Sequence, residues 1–455
     1  MTAPEAASSP GNPVAPRASF RDSLSVYLQR RVLIVLLLGF SSGLPLALSG
    51  STLLVWMRES GVDLGTIGLF ALVGTPYTLK FLWAPLVDAL HVPFFTRTFG
   101  RRRGWLVCSQ LLLIAAILLL ALTDPARSPL FVALGALLVA AMSATQDIVV
   151  DAFRVESLPE SEQAAGMASY VAAYRVGMLV STAGALFLVS AFEGPGIARS
   201  SAWMWGYVTM AALVLIGTVT ALAATEPEQS ARAEAATSTE TAFARVIHAA
   251  IGAFSEFLIR KHALAALTFV VLFKFTDAFS GTMTAPFVID LGFSRNDYAA
   301  IVKGVGLAAT LIGGFAGGFV ARRYSLAASL WIGGVLQAVA NLSFSWLALV
   351  GVNQWALAFA ITAENFTSAI GTVIFVAYLS ALCQNPLHTA TQYALLTALA
   401  AVGRTYLSSG AGFVAKATGW PLFFAICAVV AVPSLILLAW LQRRGHFTAL
   451  ETAKS

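Results

Sequence analysis

The sequence predicts an all-α membrane protein with twelve transmembrane helices in two six-helix bundles. Three observations carry that prediction. Of 455 residues, 58% are hydrophobic and only 11% charged, with mean hydropathy +0.80, too little charge to coat a water-facing surface. The apolar residues gather into runs close to the ~20 residues that a helix rising 1.5 Å per residue needs to cross a ~30 Å hydrocarbon core. Lys and Arg then fall mostly on one side of the topology those runs define.

Residues 1–31 read as a cytoplasmic tail, rich in Ala, Pro and Ser with Arg17, Arg21, Arg30 and Arg31, and without the short apolar core and cleavage site of a signal peptide. Six spans follow near 32–57, 64–90, 104–123, 129–156, 163–192 and 201–224, forming a first bundle over 32–224. Residues 225–260, with Glu226, Pro227 and Glu228 and an Ala/Ser/Thr-rich stretch, read as a cytoplasmic linker whose part beyond Thr241 suits a surface helix. The second bundle, 261–442, holds spans near 263–290, 296–321, 326–350, 354–382, 389–415 and 420–441. Residues 443–455 complete the chain as a second cytoplasmic tail.

Basic residues test this count. With both termini inside, 18 of the 28 Lys and Arg lie in cytoplasmic tails and loops, and five, Arg58, Arg127, Arg199, Arg295 and Lys416, lie in outer loops. A missed or extra span would invert half the loops and destroy that bias. The net charge of +6 is therefore a signal of orientation, because nucleic-acid binding needs basic residues gathered on one folded face. Cys108, Cys383 and Cys427 show no paired spacing, and no His cluster accompanies them, so neither disulfide nor metal nor cofactor is expected. The chain has no G-x-S-x-G, H-E-x-x-H or Walker pattern, which argues against an enzyme or an ATP-driven pump.

The two halves echo one another. Gln163 precedes Arg175 by 12 residues, as Gln392 precedes Arg404, and each Arg leads into a stretch of small residues. Arg101 to Arg103 after the second span have a weaker counterpart in Arg322 and Arg323 after the eighth. Repeated bundles of this kind commonly hold a substrate at their interface.

Ionisable residues inside spans mark candidate sites, since a lone charge at mid-bilayer costs ~2.5–3.5 kcal/mol on insertion scales. Five basic residues fall there: Lys80, Arg175, Lys274, Lys303 and Arg404, a positive lining for an anionic substrate or partners for buried acids. Asp147 and Asp151 lie four apart on one helical face beside Gln146 and Arg154. Two carboxylates on one face repel, and binding a proton relieves the repulsion. Asp151, three residues from Arg154 near the span end, reads as structural, and the deeper Asp147 as proton-coupling. Lys274 and Asp277, three apart, either satisfy each other or form a pair that opens when the acid is protonated. Glu364, beside Asn365, has no basic residue within one turn, which fits a cavity-facing, proton-titrating role. Gly39-Phe40-Ser41-Ser42-Gly43-Leu44-Pro45 interrupts the first span, and Gly313, Gly314, Gly317 and Gly318 suit close helix packing on the eighth. Trp56, Trp83, Trp105, Trp203, Trp205 and Trp420 fit interfacial anchors.

Several runs together resemble the AmpG muropeptide permease family of Gram-negative bacteria, within the major facilitator superfamily. They are the Gly39–Pro45 run, Ile67-Gly68-Leu69-Phe70, the Pro76–Asp88 run, Gly100-Arg101-Arg102-Arg103-Gly104-Trp105, Gln146–Ala152, and Tyr174-Arg175 with Gly177-Met178. They cover most of the first half; the second half is similar in architecture and around Lys274 to Asp277. The resemblance implies proton-driven import of N-acetylglucosaminyl-1,6-anhydro-N-acetylmuramyl units, with or without stem peptide, for cell-wall recycling, and a link to β-lactamase induction. It also implies that Asp88 with Arg101, Arg102 and Arg103 latches the cytoplasmic side of the bundles. This chain departs from the superfamily signature there, with Ala84 in place of Gly and an insertion at 89–99, which leaves Arg154 as the preferred partner of Asp88 and Asp151 beside it.

The expected protein is thus an alternating-access permease of the bacterial inner membrane. Proton coupling is assigned to Asp147, Asp277 and Glu364. Substrate contacts are assigned to Lys80, Gln146, Tyr170, Tyr174, Arg175, Lys274, Tyr378, Gln392, Tyr393 and Arg404. The partners expected are the muropeptide, protons and the bilayer, with neither nucleic acid nor an obligate protein partner. Alternatives are a carrier of acetyl-coenzyme A or a siderophore-type cargo, or a membrane receptor that binds muropeptide without moving it.

Overall fold

The structure, a computed structural model, describes residues 25–84, 87, 90–194, 196–227, 262–382 and 389–452. Asp88 and the expected helix beyond Thr241 lie outside the described residues. Ten helices among the described residues are long and apolar enough to cross a membrane. In the first half they are α1 (Arg30–Glu59), α3 (Arg101–Ala121), α4 (Pro129–Ser157), α5 (Ala165–Glu193) and α6 (Arg199–Ala223). The second half supplies α7 (Ala263–Asp290), α8 (Arg295–Ala321), α9 (Leu326–Val350), α10 (Gln354–Leu382) and α12 (Trp420–Arg443). The second and eleventh spans are broken. α2 runs through the pieces Leu64–Leu69, Phe70–Gly74, Thr75–Leu79 and Lys80–Leu82, and α11 through Thr389–Tyr406, Leu407–Gly410 and Ala411–Thr418. A short α13 (His446–Thr452) follows.

Small residues set the helix approaches. A Cβ on Gly39 or Gly43 of α1 would collide with the backbone at Tyr170 or Tyr174 of α5, and one on Gly313 or Gly317 of α8 would collide with Phe366 or Ile370 of α10. α1 breaks at Ser49–Gly50, one turn beyond Pro45, which has no N–H to give and reorders the ladder around it. Leu119, Phe131, Leu134, Phe315, Phe319 and Leu349 are exposed on the outer surface, where hydrocarbon rather than water is their solvent.

Alternation of the spans gives one face carrying both termini, the termini face, and an opposite, far face. The buried apolar residues divide accordingly. One cluster in the far half is shared by both bundles, running from Leu44, Trp56 and Trp203 to Phe279, Phe287, Phe344 and Phe423. In the termini half each bundle keeps its own cluster, around Val35, Leu106 and Phe153 in the first and Phe269, Phe375 and Leu438 in the second.

Candidate functional site

The far face is joined by charge. Arg295 opens α8 behind a capping box in which the Ser294 hydroxyl accepts from the Asp297 N–H and the Asp297 carboxylate accepts from the Ser294 N–H. Its guanidinium, only 8% exposed as a residue, crosses to the first bundle and donates to Glu59 of α1 at 2.5 Å and Glu193 of α5 at 2.6 Å. Trp203 of α6 adds an N–H to Glu59 at 3.2 Å and stacks on Trp56 with centroids 5.6 Å apart. Arg58 bonds Asp290 of α7, whose other oxygen accepts the Trp420 indole N–H at 3.1 Å. Lys416 of α11 lies 3.5 Å from Asp63 in the α1–α2 loop. Below these pairs the backbones of α2 and α11 touch at Gly68 and Gly412, and the Thr78 and Thr405 hydroxyls meet at 3.0 Å.

Beneath that seal, between the bundles, lies a cavity of ≈ 610 Å³ walled by α1, α2, α5, α7, α8, α10 and α11. Both α5 and α8 reach it through π-helical segments, Val180–Gly184 and Tyr298–Val305, a backbone form that recurs at functional sites. Arg175, Lys303, Arg404, Asp277 and Glu364 are its charged lining. The two acids are engaged: Asp277 accepts from Lys274 at 3.2 Å and Ser368 at 2.7 Å, and Glu364 from the Asn365 amide at 2.8 Å. Thr310 in turn donates to the Asn365 carbonyl at 3.2 Å. Arg175, Lys303 and Arg404 make no hydrogen bond or ion pair among the described residues; the Lys303 ammonium instead lies 5.4 Å over the Tyr298 ring. The cavity therefore presents unpaired cations beside a bonded array of hydroxyls, amide and acids, the composition that receives an anionic, hydroxyl-bearing guest.

The pattern of the Major Facilitator Superfamily matches residues 35–408. The chain is 40% identical over 426 residues to the anhydromuropeptide permease of Escherichia coli, covering 93% of this chain and 82% of that relative. It is 33% identical to the putative transporter AmpG 4 of Rickettsia felis, covering 92% and 98%. This chain belongs to the AmpG family of the major facilitator superfamily. Among solved structures it shares the fold of the nucleoside transporter NupG, TM-score 0.69 at 12% identity over 92% of this chain and 99% of that one. The D-xylose-proton symporter has the same fold at TM-score 0.65, 12% identity and 90% and 97% coverage. It is a multi-pass membrane transporter; composition and span pattern predict the spans, and the family supports transport.

In this AmpG-family chain the sequence-predicted residues separate into three groups. Arg175, Arg404, Asp277 and Glu364 face the cavity, the two Arg from equivalent places in the repeat. Lys274 stands behind Asp277, bonded to it and, at 2.8 Å, to Thr372, so the intrahelical pair is the form present. Asp147, Gln146 and Lys80 sit off the cavity: Gln146 donates to Ser42 at 3.2 Å, and Asp147 is 7% exposed with Lys80 among its charged neighbours. Tyr170 and Tyr174 are likewise packed onto α1 rather than presented to the cavity.

Tyr378, expected as a substrate contact, lies away from the cavity. It lies 14 residues beyond Glu364 on α10, ~21 Å along a helix. There it is fully buried against Phe269 and Phe447 and bonded to His446 at 3.1 Å, outside the cavity. The side chains of Gln392 and Tyr393 lie outside the described set. The expected latch also differs. Arg102 makes a two-pronged bond to Glu156, the Arg102 and Arg103 N–H groups donate to Glu226, and the Arg103 side chain reaches the Ala221 and Leu222 carbonyls. Those bonds tie α3 to α4 and to the chain after α6 within the first half. Arg154 is 3.7 Å from Asp151, the structural pairing, and Asp88 is not described. Arg101 is partly buried at the start of α3. Trp56 and Trp203 are core residues of the far-face seal; Trp205, on the outer surface, fits an anchor.

Sequence reasoning missed the seal itself. Arg58, Arg295 and Lys416 were legible only as loop charges at span ends, since their partners lie far away in the chain, Glu59 being 236 residues before Arg295 and Asp63 further still from Lys416.

Proposed function

We propose that this protein imports anhydro-muropeptides, GlcNAc-1,6-anhydro-MurNAc units with or without stem peptide, from periplasm to cytoplasm across the inner membrane by proton-driven alternating access. The observation that carries this is the trio of unpaired cations, Arg175, Lys303 and Arg404, in one cavity with Asn365, Thr310, Ser368 and Tyr298. A muropeptide brings several carboxylates and many hydroxyl and amide groups, which match that lining. The 40% identity to an anhydromuropeptide permease supports the same cargo. Cell-wall recycling, and with it the signal that induces β-lactamase, is the physiological setting this cargo brings.

The bias of basic residues to the termini side supports cytoplasmic termini. The far face is then periplasmic, and the conformation is closed to the periplasm. Outward opening separates Arg295 from Glu59 and Glu193; substrate then meets Arg175 and Arg404 from opposite bundles and draws them together. Protonation of Glu364 or Asp277 removes an anion from the wall beside the incoming carboxylates, and it favours whichever state presents that acid least solvated. Release of Asp277 from Lys274 on protonation would free a further cation for the cargo.

The test is uptake of labelled anhydro-muropeptide into proteoliposomes with and without an inward-directed proton gradient. Accumulation that requires the gradient is the expected result. Glu364→Gln abolishes accumulation while labelled-for-unlabelled exchange continues. Binding without accumulation by the native protein would make it a receptor, and uptake suppressed by acetyl-coenzyme A but not by muropeptide would reassign the cargo.

A further inference from the structure

The interior of the first bundle holds a concentration of polar groups that, Tyr77 apart, lie outside the cavity lining, and none of them belongs to the far-face seal. α1 contributes Ser41 and Ser42, α2 Tyr77, α3 Gln110, α4 Ser143, Gln146 and Asp147, and α6 Thr218. Seven of their atoms are buried without a protein partner: the Tyr77 hydroxyl, both amide atoms of Gln110, the hydroxyls of Ser143 and Thr218, Gln146 Oε1 and Asp147 Oδ1. A buried polar atom without a partner keeps the full cost of its lost hydration, so seven in one bundle demand a shared explanation. The groups are contiguous. Gln146 donates to Ser42 at 3.2 Å, and a Cβ on Gly217 would strike both Ser41 Oγ and Gln110 Nε2, which places those two side chains on one spot of α6. Ser143 and Asp147, four apart, share a face of α4.

Tyr77 connects this interior to the cavity. It is a lining residue, yet its hydroxyl is buried without a partner at full hydrogen-bond geometry, with the Ser143 and Ser49 hydroxyls its polar neighbours. We propose that these groups line a hydrated passage through the first bundle, along which protons move between the cavity and Asp147, with Tyr77 the relay residue at the cavity end. Buried water is the ligand this chemistry takes, because it both donates and accepts and satisfies two to four polar atoms at once. Each hop forms one O–H bond as the next breaks. A proton from the aqueous phase joins the oxygen on the cavity side, the Tyr77 proton passes to the water facing Ser143, and the last water protonates the Asp147 carboxylate, with no change of oxidation state. The other groups facing Asp147 are Lys80 of α2, Asp151 of its own helix, Ser42 of α1, and Tyr170 and Tyr174 of α5.

This assignment rests on the proton-driven reading, and two measurements on reconstituted full-length protein separate their failures. Infrared difference spectra taken across a pH titration identify the Asp147 carboxyl band by its loss in Asp147→Asn. Deuterium from D₂O reaches that band about tenfold more slowly in Tyr77→Phe, with Ser143→Ala as the second variant should the first fail to reconstitute. An unchanged rate in the variants, or no Asp147 band at any pH, overturns the passage. In transport, Ser143→Ala, outside the cavity lining, lowers gradient-driven muropeptide accumulation about tenfold and leaves counterflow exchange within about twofold, a split that a merely structural serine would not produce. Wild-type-like accumulation in a reconstituted Ser143→Ala also overturns it. If the native protein moves no muropeptide, the substrate reading falls while the deuterium exchange still decides the passage.

Discussion

The far face and the termini face are held by different physics. At the far face the bundles share one apolar cluster and are crossed by ion pairs from Arg295, Arg58 and Lys416. At the termini face each bundle keeps its own cluster, and polar bonds such as those of Arg102 to Glu156 and Tyr378 to His446 lie within one half. The difference teaches where the moving joint lies. Attraction within a buried ion pair is largely offset by the loss of hydration, so a charged seal reopens at low net free energy once water returns, whereas separated apolar clusters keep each bundle rigid through the motion.

Arg295 is the point at which that comparison breaks most easily. Arg295→Ala leaves Glu59 without its ion-pair partner and Glu193 with only the more exposed Arg199, and removing one partner from a buried pair costs about 3–5 kcal/mol. The closed far face loses population by a hundredfold or more, at 1.4 kcal/mol per factor of ten. Spin labels in the α1–α2 and α7–α8 loops should show distances lengthened across the far face; an unchanged distribution would remove Arg295 from the seal. Arg295→Met combined with Glu59→Gln and Glu193→Gln should restore closure, because no uncompensated charge then remains buried.

The opposing effect at the termini face is set by pH. Burial, with the charge of His262 secondary, pushes the His446 imidazole down to about 4 from its ordinary 6.5. A depressed histidine favours the docked form above pH 6.5, where it is neutral whether docked or free. That advantage drains away as pH falls from 6.5 toward 4, because the undocked form binds the proton first. Docking of α13 should weaken on the order of tenfold by pH 5, read as faster tryptic cleavage after Arg443 and Arg444. His446→Gln should flatten this pH dependence and leave far-face distances unmoved.

A middle case is Arg58. Its side chain is 25% exposed and that of Asp290 15%, and Trp420 holds Asp290 from the other side. Arg58→Ala should open the far face less than the Arg295 change, by about 1 kcal/mol or some fivefold, measured by the same labels.

How far the sequence foretold these regions depends on the range of the interaction. Spans are local: an apolar run is a helix wherever it sits, and twelve runs were legible from composition and from the placement of basic residues. The breaks in α2 and α11 were not, because continuous apolarity conceals a change of helical pitch such as Phe70–Gly74. Arg175 and Arg404 stood out as charges in a repeat, and both reach the cavity. Tyr378 lies away from the cavity; residue type carries no information on height along α10. The seal was invisible because Arg295 lies 236 and 102 residues from its partners Glu59 and Glu193, and Tyr77 because an uncharged side chain within an apolar span carries no burial penalty large enough to single it out.

The smallest effect belongs to Asp63 and Lys416, and it sharpens the comparison by separating capping from pairing. Asp63 Oδ1 caps α2 by accepting from the Gly65 and Thr66 N–H groups at 3.1 and 3.3 Å, while Oδ2 takes the Thr66 hydroxyl at 2.5 Å. The bond from that hydroxyl, ahead of the Lys416 charge, holds the carboxyl below its ordinary value of 3.8. Its stabilisation is therefore complete above that value and is lost only as pH falls through the depressed one, far below neutral pH. Both side chains are about half exposed, 48% for Asp63 and 63% for Lys416, so solvent screens the pair and Lys416→Ala should leave far-face distances as they are. Asp63→Asn keeps an acceptor for the cap and should be equally silent. Asp63→Ala removes the cap, at about 0.5–2 kcal/mol, and should loosen the start of α2, read as faster amide exchange at Gly65 and Thr66. A large opening in Lys416→Ala would show instead that exposed charge contributes to the seal as buried charge does.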